Sequence, residues 1–271
     1  MTIEELLIFG KSHCHSEHAK ILLAELLNKN SLEMLNYLNE VVDNDLCEKY
    51  KEEVLALESG KPLQYVIGNV NFYGNNFYIN ENVLIPRFET EELVENTIQY
   101  INKLFTHPVD IIDLGCGSGV IGITLDKKIS TNSVDIIDIS KKALEVAKKN
   151  CELLNSKAKP LQSNFFENVT KKYDVVISNP PYIKTNEEIE DIVRNNEPHL
   201  ALFAGEDGLD CYRSILNNVK EHIKEKYLIA FEIGYTQAED IKALALNVLP
   251  EANVDIKKDL SEKDRMIFIY N

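Results

Sequence analysis

The short segment Asn179-Pro180-Pro181-Tyr182 directly follows an apolar run at 175–178. Its two prolines fix the backbone and remove two N–H donors, which leaves rigid carbonyl groups facing outward. The side-chain oxygen of Asn179 and the main-chain oxygen of Pro180 can accept both hydrogens of a planar amino or amide group. Such a nitrogen is a poor nucleophile, and accepting its protons would aim its lone pair and disperse the positive charge that develops. Tyr182 offers a flat face to a planar substrate.

A glycine-rich loop, Asp113-Leu114-Gly115-Cys116-Gly117-Ser118-Gly119, lies where a predicted strand ends and a helix begins. Glycine lets the backbone approach a ligand because no Cβ intervenes and positive φ is accessible. A dinucleotide-binding fingerprint has the spacing G-x-G-x-x-G, whereas the spacing here is G-x-G-x-G, with an Asp two residues before the first Gly. This pattern resembles motif I of class I S-adenosylmethionine-dependent methyltransferases.

Asp138 ends the next predicted strand, nineteen residues after Gly119. An acid in this place can accept hydrogen bonds from both hydroxyls of a ribose. Asp135 is the competing residue, although it lies in the middle of the strand. A charge before the following helix is an alternative role for Asp138, and it is compatible with ligand binding.

From about residue 89 the sequence alternates between apolar strand-like runs and helical patterns. The predicted strands are 109–113, 134–138, 173–178, 227–233 and 266–270, and the clearest helix is 141–154. This alternation predicts an open, doubly wound α/β domain with a parallel sheet. Ligands of such folds bind beyond the carboxyl ends of the strands, where the three motifs above are placed.

Residues 1 to about 60 carry only helical patterns and predict a small bundle, with Ser31 and Asp43 as N-caps. An aromatic-rich stretch at 70–79, with Gly-Asn-Asn at 74–76, predicts a β-hairpin. We therefore predict three segments. They are a helical substrate-recognition bundle at 1–68, a hairpin linker at 69–86 and a methyltransferase domain at 87–271.

The chain of 271 residues has 29 basic and 44 acidic side chains, a net charge of −15. This balance argues against a mechanism that depends on binding a nucleic-acid backbone. No apolar stretch approaches the roughly 18–20 residues that cross a bilayer, and the acidic N-terminus does not resemble a signal peptide. Five scattered cysteines without Cys-x-x-Cys do not indicate a disulfide framework. We predict a cytoplasmic protein that binds neither membranes nor nucleic acid directly.

The order of the motifs resembles methyltransferases that modify amide or exocyclic amino nitrogens, and flanking segments narrow the resemblance. These segments are 62–68, Phe72-Tyr73-Gly74, 84–91, Glu197-Pro198, Asp207-Gly208-Leu209 and Glu232-Ile233-Gly234-Tyr235. Together they resemble the HemK/PrmC family over about residues 60 to 270. Members of that family methylate the glutamine side-chain amide in the Gly-Gly-Gln loop of peptide-chain release factors.

The resemblance implies a mostly parallel seven-stranded sheet and S-adenosylmethionine as methyl donor, with S-adenosylhomocysteine as product. It implies release factors as partners and a monomeric enzyme without a metal. The implied cofactor contacts are Gly115, Cys116, Gly117, Ser118, Gly119, Asp138, Asn164, Phe165 and Asn179. The implied substrate contacts are Asn179, Pro180, Pro181 and Tyr182, of which Asn179 and Pro180 are catalytic.

The sequence departs from the family pattern at three single positions and at 261–265, which lacks the glycine common before Asp264-Arg265. Asn164 stands where the family often has Asp, Phe165 where Trp can occur, and Phe88 where Pro usually follows Arg87. Because an Asn can still bond an adenine edge, we expect a change in cofactor affinity rather than its loss.

Two other functions remain open. An adenine amino-group methyltransferase acting on DNA would share the Asn-Pro-Pro-Tyr chemistry, but the net charge of −15 disfavours it. A non-catalytic S-adenosylmethionine-binding adaptor would have no use for two acceptors at Asn179 and Pro180. The cluster His13-Cys14-His15-Ser16-Glu17-His18 has metal-ligand residue types, but no second cluster completes a zinc site.

Overall fold

The computed structural model describes residues 1–271, which divide into two compact units. The first unit comprises residues 1–69 and 190–196, and the second comprises 70–189 and 197–271. The sequence carries no signal that the short segment 190–196 belongs with the N-terminal helices. None of the helices combines the length and apolar composition that crossing a bilayer requires.

The first unit is helical, as predicted. Its helices are α1 (Ile3–His13), α2 (Ser16–Leu26), α3 (Ser31–Met34), α4 (Asn44–Glu58), α5 (Leu63–Ile67) and, from later in the chain, α9 (Asp191–Asn196). Fully buried side chains such as Leu6, Leu23 and Tyr50 form its core. Asn196 Nδ2 donates to the main-chain oxygen of Gly60 at 3.0 Å, so that α9 is joined to the end of α4.

Helix caps in this unit correct one prediction and confirm another. Asp43 accepts a hydrogen bond from Leu46 N and caps α4, as predicted. The predicted N-cap Ser31 is wrong, because Asn30 caps α3 by accepting from Leu32 N at 2.8 Å. Asn is as good an N-cap as Ser, so the sequence alone does not decide between the neighbours Asn30 and Ser31 as the residue before α3.

The hairpin is present, with β1 (Asn69–Phe72) and β2 (Asn75–Tyr78). The predicted Gly-Asn-Asn turn is wrong by one residue. The turn consists of Tyr73 and Gly74, which have φ values of 49° and 75°. Two successive positive φ values are typical of the type I′ turn, whose twist matches that of the flanking strands. Phe72 and Phe77 are buried in the core of the second unit.

The second unit contains the predicted seven-stranded sheet, in the order β5-β4-β3-β6-β7-β9-β8. The strands are β3 (Val109–Leu114), β4 (Thr131–Asp138), β5 (Lys159–Gln162), β6 (Tyr173–Ser178), β7 (Ile223–Glu232), β8 (Asn253–Lys258) and β9 (Asp264–Tyr270). Strands β3 to β7 pair in parallel, and β9 runs antiparallel to both β7 and β8. The sheet is therefore mostly parallel.

Helices cover both faces of this sheet, which makes it doubly wound. They are α6 (Phe88–Leu104), α7 (Val120–Lys128), α8 (Lys141–Leu153), α10 (Asp210–His222) and α11 (Ala238–Val248). Alternate residues of each strand enter opposite cores, as Val175 and Val176 of β6 illustrate. The chain winds from β3 toward β5 and then from β6 toward β7, so the switch point lies between β3 and β6.

Asn150 of α8 connects the hairpin to the glycine loop. Its fully buried amide accepts from Tyr78 N at 2.8 Å and donates at 2.9 Å to the main-chain oxygens of Tyr78 and Ser118. We expect Asn150→Ala to lower the free energy of unfolding by about 1–3 kcal/mol, because buried backbone groups lose their partners. Urea unfolding measures this, with Asn253→Ala at an exposed strand end as control. Equal stability of the two variants would contradict it.

Candidate active site

A cavity of about 270 Å³ lies at the carboxyl ends of β3, β4 and β6. It collects most of the predicted site residues, namely Gly115, Cys116, Gly117, Ser118, Asp138, Asn164, Phe165, Asn179 and Pro181. Gly119, Pro180 and Tyr182 are not among its lining residues, although each neighbours one in the chain or in the loop. The topological switch point thus brings together motifs that are far apart in sequence.

The glycine loop takes a conformation that glycine permits. Gly115, Gly117 and Gly119 have φ values of 72°, 54° and 82°. A Cβ on Gly115 or Gly117 would meet no atom within 4 Å, so the space beside this backbone is open to a ligand. A Cβ on Gly119 would lie 2.9 Å from Ile123 Cδ1, because this glycine also packs against α7. The loop is therefore an open cradle that ends at the start of a helix.

Two buried side chains fix the glycine loop or lie within it. Asp113 Oδ2 accepts from Gly122 N at 2.9 Å, and burial raises the pKa of Asp113 to about 7. Burial also raises the pKa of the Cys116 thiol well above its ordinary value. Cys116 therefore remains a neutral thiol and does not serve as a nucleophile.

Asp138 lies at the end of β4, as predicted, and supports the loop directly. Its Oδ2 accepts from Gly117 N at 2.9 Å and its Oδ1 accepts from Ser140 N at 2.8 Å. Burial raises the pKa of this carboxyl, and the backbone hydrogen bonds oppose that shift. Each carboxylate oxygen can accept a further hydrogen bond. Asp138 therefore combines a fixed position with free acceptor capacity at the cavity wall.

Asp135 belongs to a different cluster. Its Oδ2 accepts from the Tyr173 hydroxyl at 2.9 Å and lies 3.7 Å from Lys171 Nζ. Lys171 in turn pairs with Asp110 near the start of β3. This cluster lies away from the carboxyl ends of the strands, and Asp135 does not line the cavity. The geometry favours Asp138 over Asp135 as the cavity acid.

The segment after β5 contributes Asn164 and Phe165 to the cavity wall. Phe165 has a φ of 46°, which is uncommon for a residue with a side chain and often marks a functional position. Asn164 Nδ2 donates to Glu167 Oε1 at 2.7 Å, so its oxygen is the free end of the amide. An aromatic ring beside an amide acceptor suits a planar base.

Asn179 directly follows β6, and its amide is held by Thr90, which also lines the cavity. Its Nδ2 donates to Thr90 Oγ1 at 3.1 Å, and the Thr90 hydroxyl donates to Glu232 Oε2 at 2.7 Å. Thr90 and Glu232 were not among the predicted site residues. Both lie in segments that carried the family resemblance, but neither spacing nor composition indicated that they meet at Asn179. Burial raises the pKa of Glu232 to about 7.

The backbone of Tyr182 is fixed by Gln237, the residue directly before α11. Its carbonyl oxygen accepts from Gln237 Nε2 at 3.0 Å, and the same nitrogen donates to the main-chain oxygen of Gly208. A Cβ on Gly208, which has a φ of 76°, would clash with Tyr182 O. Burial raises the pKa of the Tyr182 hydroxyl to about 12, so the ring is neutral. The loop after β6 is thus held in one shape.

The sheet order, the antiparallel β9, the glycine loop and the acid at the end of β4 define a class I methyltransferase. A family model described as "Methyltransferase small domain" matches residues 88–201, and one described as "PrmC N-terminal domain" matches 15–68. The release factor glutamine methyltransferase of Bacillus anthracis is 38% identical over 256 residues, which cover 92% of this chain and 90% of the relative. The chain belongs to the release factor glutamine methyltransferase family, and the resemblance inferred from the sequence is confirmed.

Solved structures share the fold at low sequence identity. A methyltransferase from Pyrococcus furiosus is 14% identical with a TM-score of 0.55, covering 73% of this chain and 89% of that one. A 16S rRNA N2 G1207 methyltransferase from T. thermophilus, in complex with AdoMet and guanosine, is 13% identical with a TM-score of 0.52. That match covers 75% of this chain and 49% of the other. Both confirm the predicted fold class.

The residues of the cavity fit S-adenosylmethionine, the cofactor that the family implies. The open cradle at Gly115 and Gly117 admits a ligand against backbone. The buried carboxylate of Asp138 suits ribose hydroxyls, and Phe165 with the Asn164 oxygen suits a base. No group of His, Cys, Asp or Glu side chains here could hold a metal ion.

Proposed function

We propose that this protein transfers a methyl group from S-adenosylmethionine to the side-chain amide nitrogen of the glutamine in the Gly-Gly-Gln motif of peptide-chain release factors. One observation carries the proposal. Asn179 lines the cavity, and its side-chain NH₂ group donates a hydrogen bond to Thr90. The side-chain oxygen of Asn179 therefore stays available as an acceptor for a substrate amide. Family membership supports the choice of glutamine.

The proposed mechanism needs few groups of the protein. S-adenosylmethionine supplies an electrophilic methyl group when bound. The glycine loop and Asp138 would hold the cofactor, while Asn179 Oδ1 and the Pro180 carbonyl would accept the two hydrogens of the glutamine amide. These acceptors hold the nitrogen in line and stabilise the positive charge that grows on it. The nitrogen that gains the methyl group would then release one proton to solvent, and S-adenosylhomocysteine would leave as the other product. Tyr182 packs against the planar amide, and its neutral ring adds no competing charge.

The two alternatives have less support. A DNA adenine methyltransferase would share the acceptor pair, but the relative named above acts on a release factor and the net charge is −15. A non-catalytic adaptor would not need an oriented acceptor beside the cofactor cavity. We therefore retain a single proposed activity.

The direct test incubates the protein with radiolabelled S-adenosylmethionine and, in parallel, purified release factor, duplex DNA and RNA. We expect label only in the release factor, and mass spectrometry of its peptides should place the methyl group on the glutamine of Gly-Gly-Gln. Release factor with that glutamine changed to alanine is the matched control. Label in DNA, or equal labelling of the control, would refute the proposal.

We further propose that residues 1–68 recognise the release factor, that 69–86 link them to the rest and that 87–271 perform the transfer. Residues 1–80 contain six lysines and twelve acidic residues, a charge of −6 that suits a basic partner. A monomeric enzyme in the cytoplasm belongs to the same proposal.

The charge of the bundle leads to a prediction about salt. Raising the ionic strength should lower kcat/KM for intact release factor, because screening weakens long-range attraction and slows encounter. A short Gly-Gly-Gln peptide should be a poor substrate with little salt dependence, since it lacks the remote contacts. Steady-state kinetics over a salt series measure both. Equal salt dependence of factor and peptide would argue against the bundle as the recognition element.

A further inference from the structure

The side-chain amide of Asn179 has two orientations that differ by a half turn, and only one suits the proposed chemistry. The oxygen must face the substrate amide, because the nitrogen end would place the N–H donors of Asn179 against the N–H donors of the substrate. Asn179 is only partly buried, so packing alone does not select between two ends of similar shape. The hydrogen-bonding partners behind the amide must therefore select the orientation.

The Thr90 hydroxyl supplies this selection because it has a single proton. Thr90 is 3% exposed and donates that proton to Glu232 Oε2 at 2.7 Å, which leaves only lone pairs facing Asn179. Asn179 Nδ2 donates to them at 3.1 Å. With the amide reversed, two oxygen atoms would face each other without a proton between them. The direction of the hydrogen bond from Thr90 to Glu232 therefore determines the direction of the hydrogen bond between Asn179 and Thr90.

Glu232 is the last acceptor in this series of hydrogen bonds and determines their direction. It is 2% exposed and lies at the end of β7. An ionised carboxylate can only accept hydrogen bonds, whereas a protonated carboxyl can also donate. A donating Glu232 would let the Thr90 hydroxyl turn and donate to Asn179, which would favour the reversed amide. Ionised Glu232 therefore enforces the productive orientation.

We propose that Glu232, acting through Thr90 and through its own side-chain hydrogen bond with Asn179, is a positioning residue that holds the Asn179 amide with its oxygen toward the glutamine substrate, and that it does so as a carboxylate. This inference rests on the proposed function, since it concerns the same substrate amide. Thr90 lines the cavity beside Asn179 and Glu232 does not, and the positioning role assigned to both is exerted on the Asn179 amide rather than on the substrate.

The surroundings of Glu232 make its ionisation responsive near neutral pH. Burial raises the pKa of Glu232 to about 7, and the hydrogen bond from Thr90, the positive charge of Arg265 and the hydrogen bond from Asn179 oppose this shift. The charged and titratable groups that face it are Arg265 on β9, Glu89 on α6, Tyr182 after β6 and Tyr212 on α10. Because the protonated fraction of Glu232 increases as the pH falls through its pKa, the methylation rate should decrease below about pH 7.

The test compares Thr90→Val with Thr90→Ser in single-turnover methylation of release factor. Residues that orient a ligand at metal sites typically contribute about 10–100-fold, so we expect a loss of rate of that size in Thr90→Val. Because Thr90 also lines the cavity, cofactor affinity is measured alongside and should change by much less than the rate. Thr90→Ser keeps the hydroxyl and should restore most of the rate. Thr97→Val is the matched control, because Thr97 is a fully buried threonine of the same helix whose hydroxyl donates only to Leu93 O.

The second measurement is the pH dependence of the same rate. We expect the wild-type rate to fall below about pH 7. Glu232→Gln should remove this acidic limb, since its amide does not titrate, and should be slower at high pH because it no longer enforces one direction. A Thr90→Val rate within twofold of Thr90→Ser, or an unchanged acidic limb in Glu232→Gln, would overturn the inference.

Asn179→Ala, measured in parallel, separates this inference from the proposed function. If Asn179→Ala is slow while Thr90→Val is not, the acceptor role stands and the positioning role is refuted. If wild-type protein does not methylate release factor at all, the proposed function itself fails. Thermal unfolding of each variant identifies any loss of rate that reflects misfolding.

Discussion

Replacing Asn179 with alanine should slow single-turnover methylation of release factor by about 10²–10³ while leaving cofactor binding nearly intact. Removing one preorganised polar contact to developing charge typically costs this much in rate. The anchors proposed for the cofactor, which are the glycine loop and Asp138, have their own hydrogen bonds and do not depend on the Asn179 amide. Rapid-quench kinetics at saturating cofactor and calorimetry with S-adenosylhomocysteine measure the two quantities separately.

The matched control is Asn253→Ala, which removes an exposed amide at the start of β8. Its rate should equal that of the wild type. An Asn179→Ala rate within tenfold of wild type would contradict the acceptor mechanism. A large loss of cofactor affinity would instead make Asn179 chiefly a cofactor contact, because a residue that acts on the transition state alone lowers the rate without changing ground-state binding.

The sequence predicted those parts of the site whose chemistry is local. The glycine spacing at 115–119 and the rigid prolines after Asn179 are properties of short segments, and each directly follows a strongly apolar strand. Parallel strands bring their carboxyl ends to one edge, so the fold class was enough to predict that these segments meet. The preference for Asp138 over Asp135 followed from position on the strand. Asp138 lines the cavity and Asp135 does not, while contact of Asp138 with a ribose stays a prediction.

The sequence did not predict the groups that act through long-range contacts. Thr90 precedes Asn179 by 89 positions and Glu232 follows Thr90 by 142, so no local pattern relates them. The edge strands β5 and β8 were not located either, because few of their residues are buried and the apolar signal is weak. The membership of 190–196 in the first unit depends likewise on tertiary packing rather than on local propensity.

Replacing Asp138 with alanine should weaken cofactor binding by about 1.5–3 kcal/mol, or roughly 10–150-fold in Kd, the range for hydrogen bonds that involve a charged group. Several losses combine in this variant, including that of the hydrogen bond from Ser140 N. The carboxylate no longer offers acceptors to the ribose hydroxyls, and Gly117 N loses the partner that holds the glycine loop. Calorimetry with S-adenosylhomocysteine measures the effect without requiring turnover.

Two further variants separate these losses and test the assignment of the acid. Asp138→Asn keeps one acceptor, which can still hold Gly117 N, so its affinity should lie between those of the wild type and Asp138→Ala. Asp135→Ala is the matched control on the same strand. It should bind the cofactor like the wild type but unfold more easily, because the Tyr173 hydroxyl loses its acceptor. Unchanged affinity in Asp138→Ala together with weakened binding in Asp135→Ala would reverse the assignment, since the acid that contacts the ribose must be the one whose removal costs affinity.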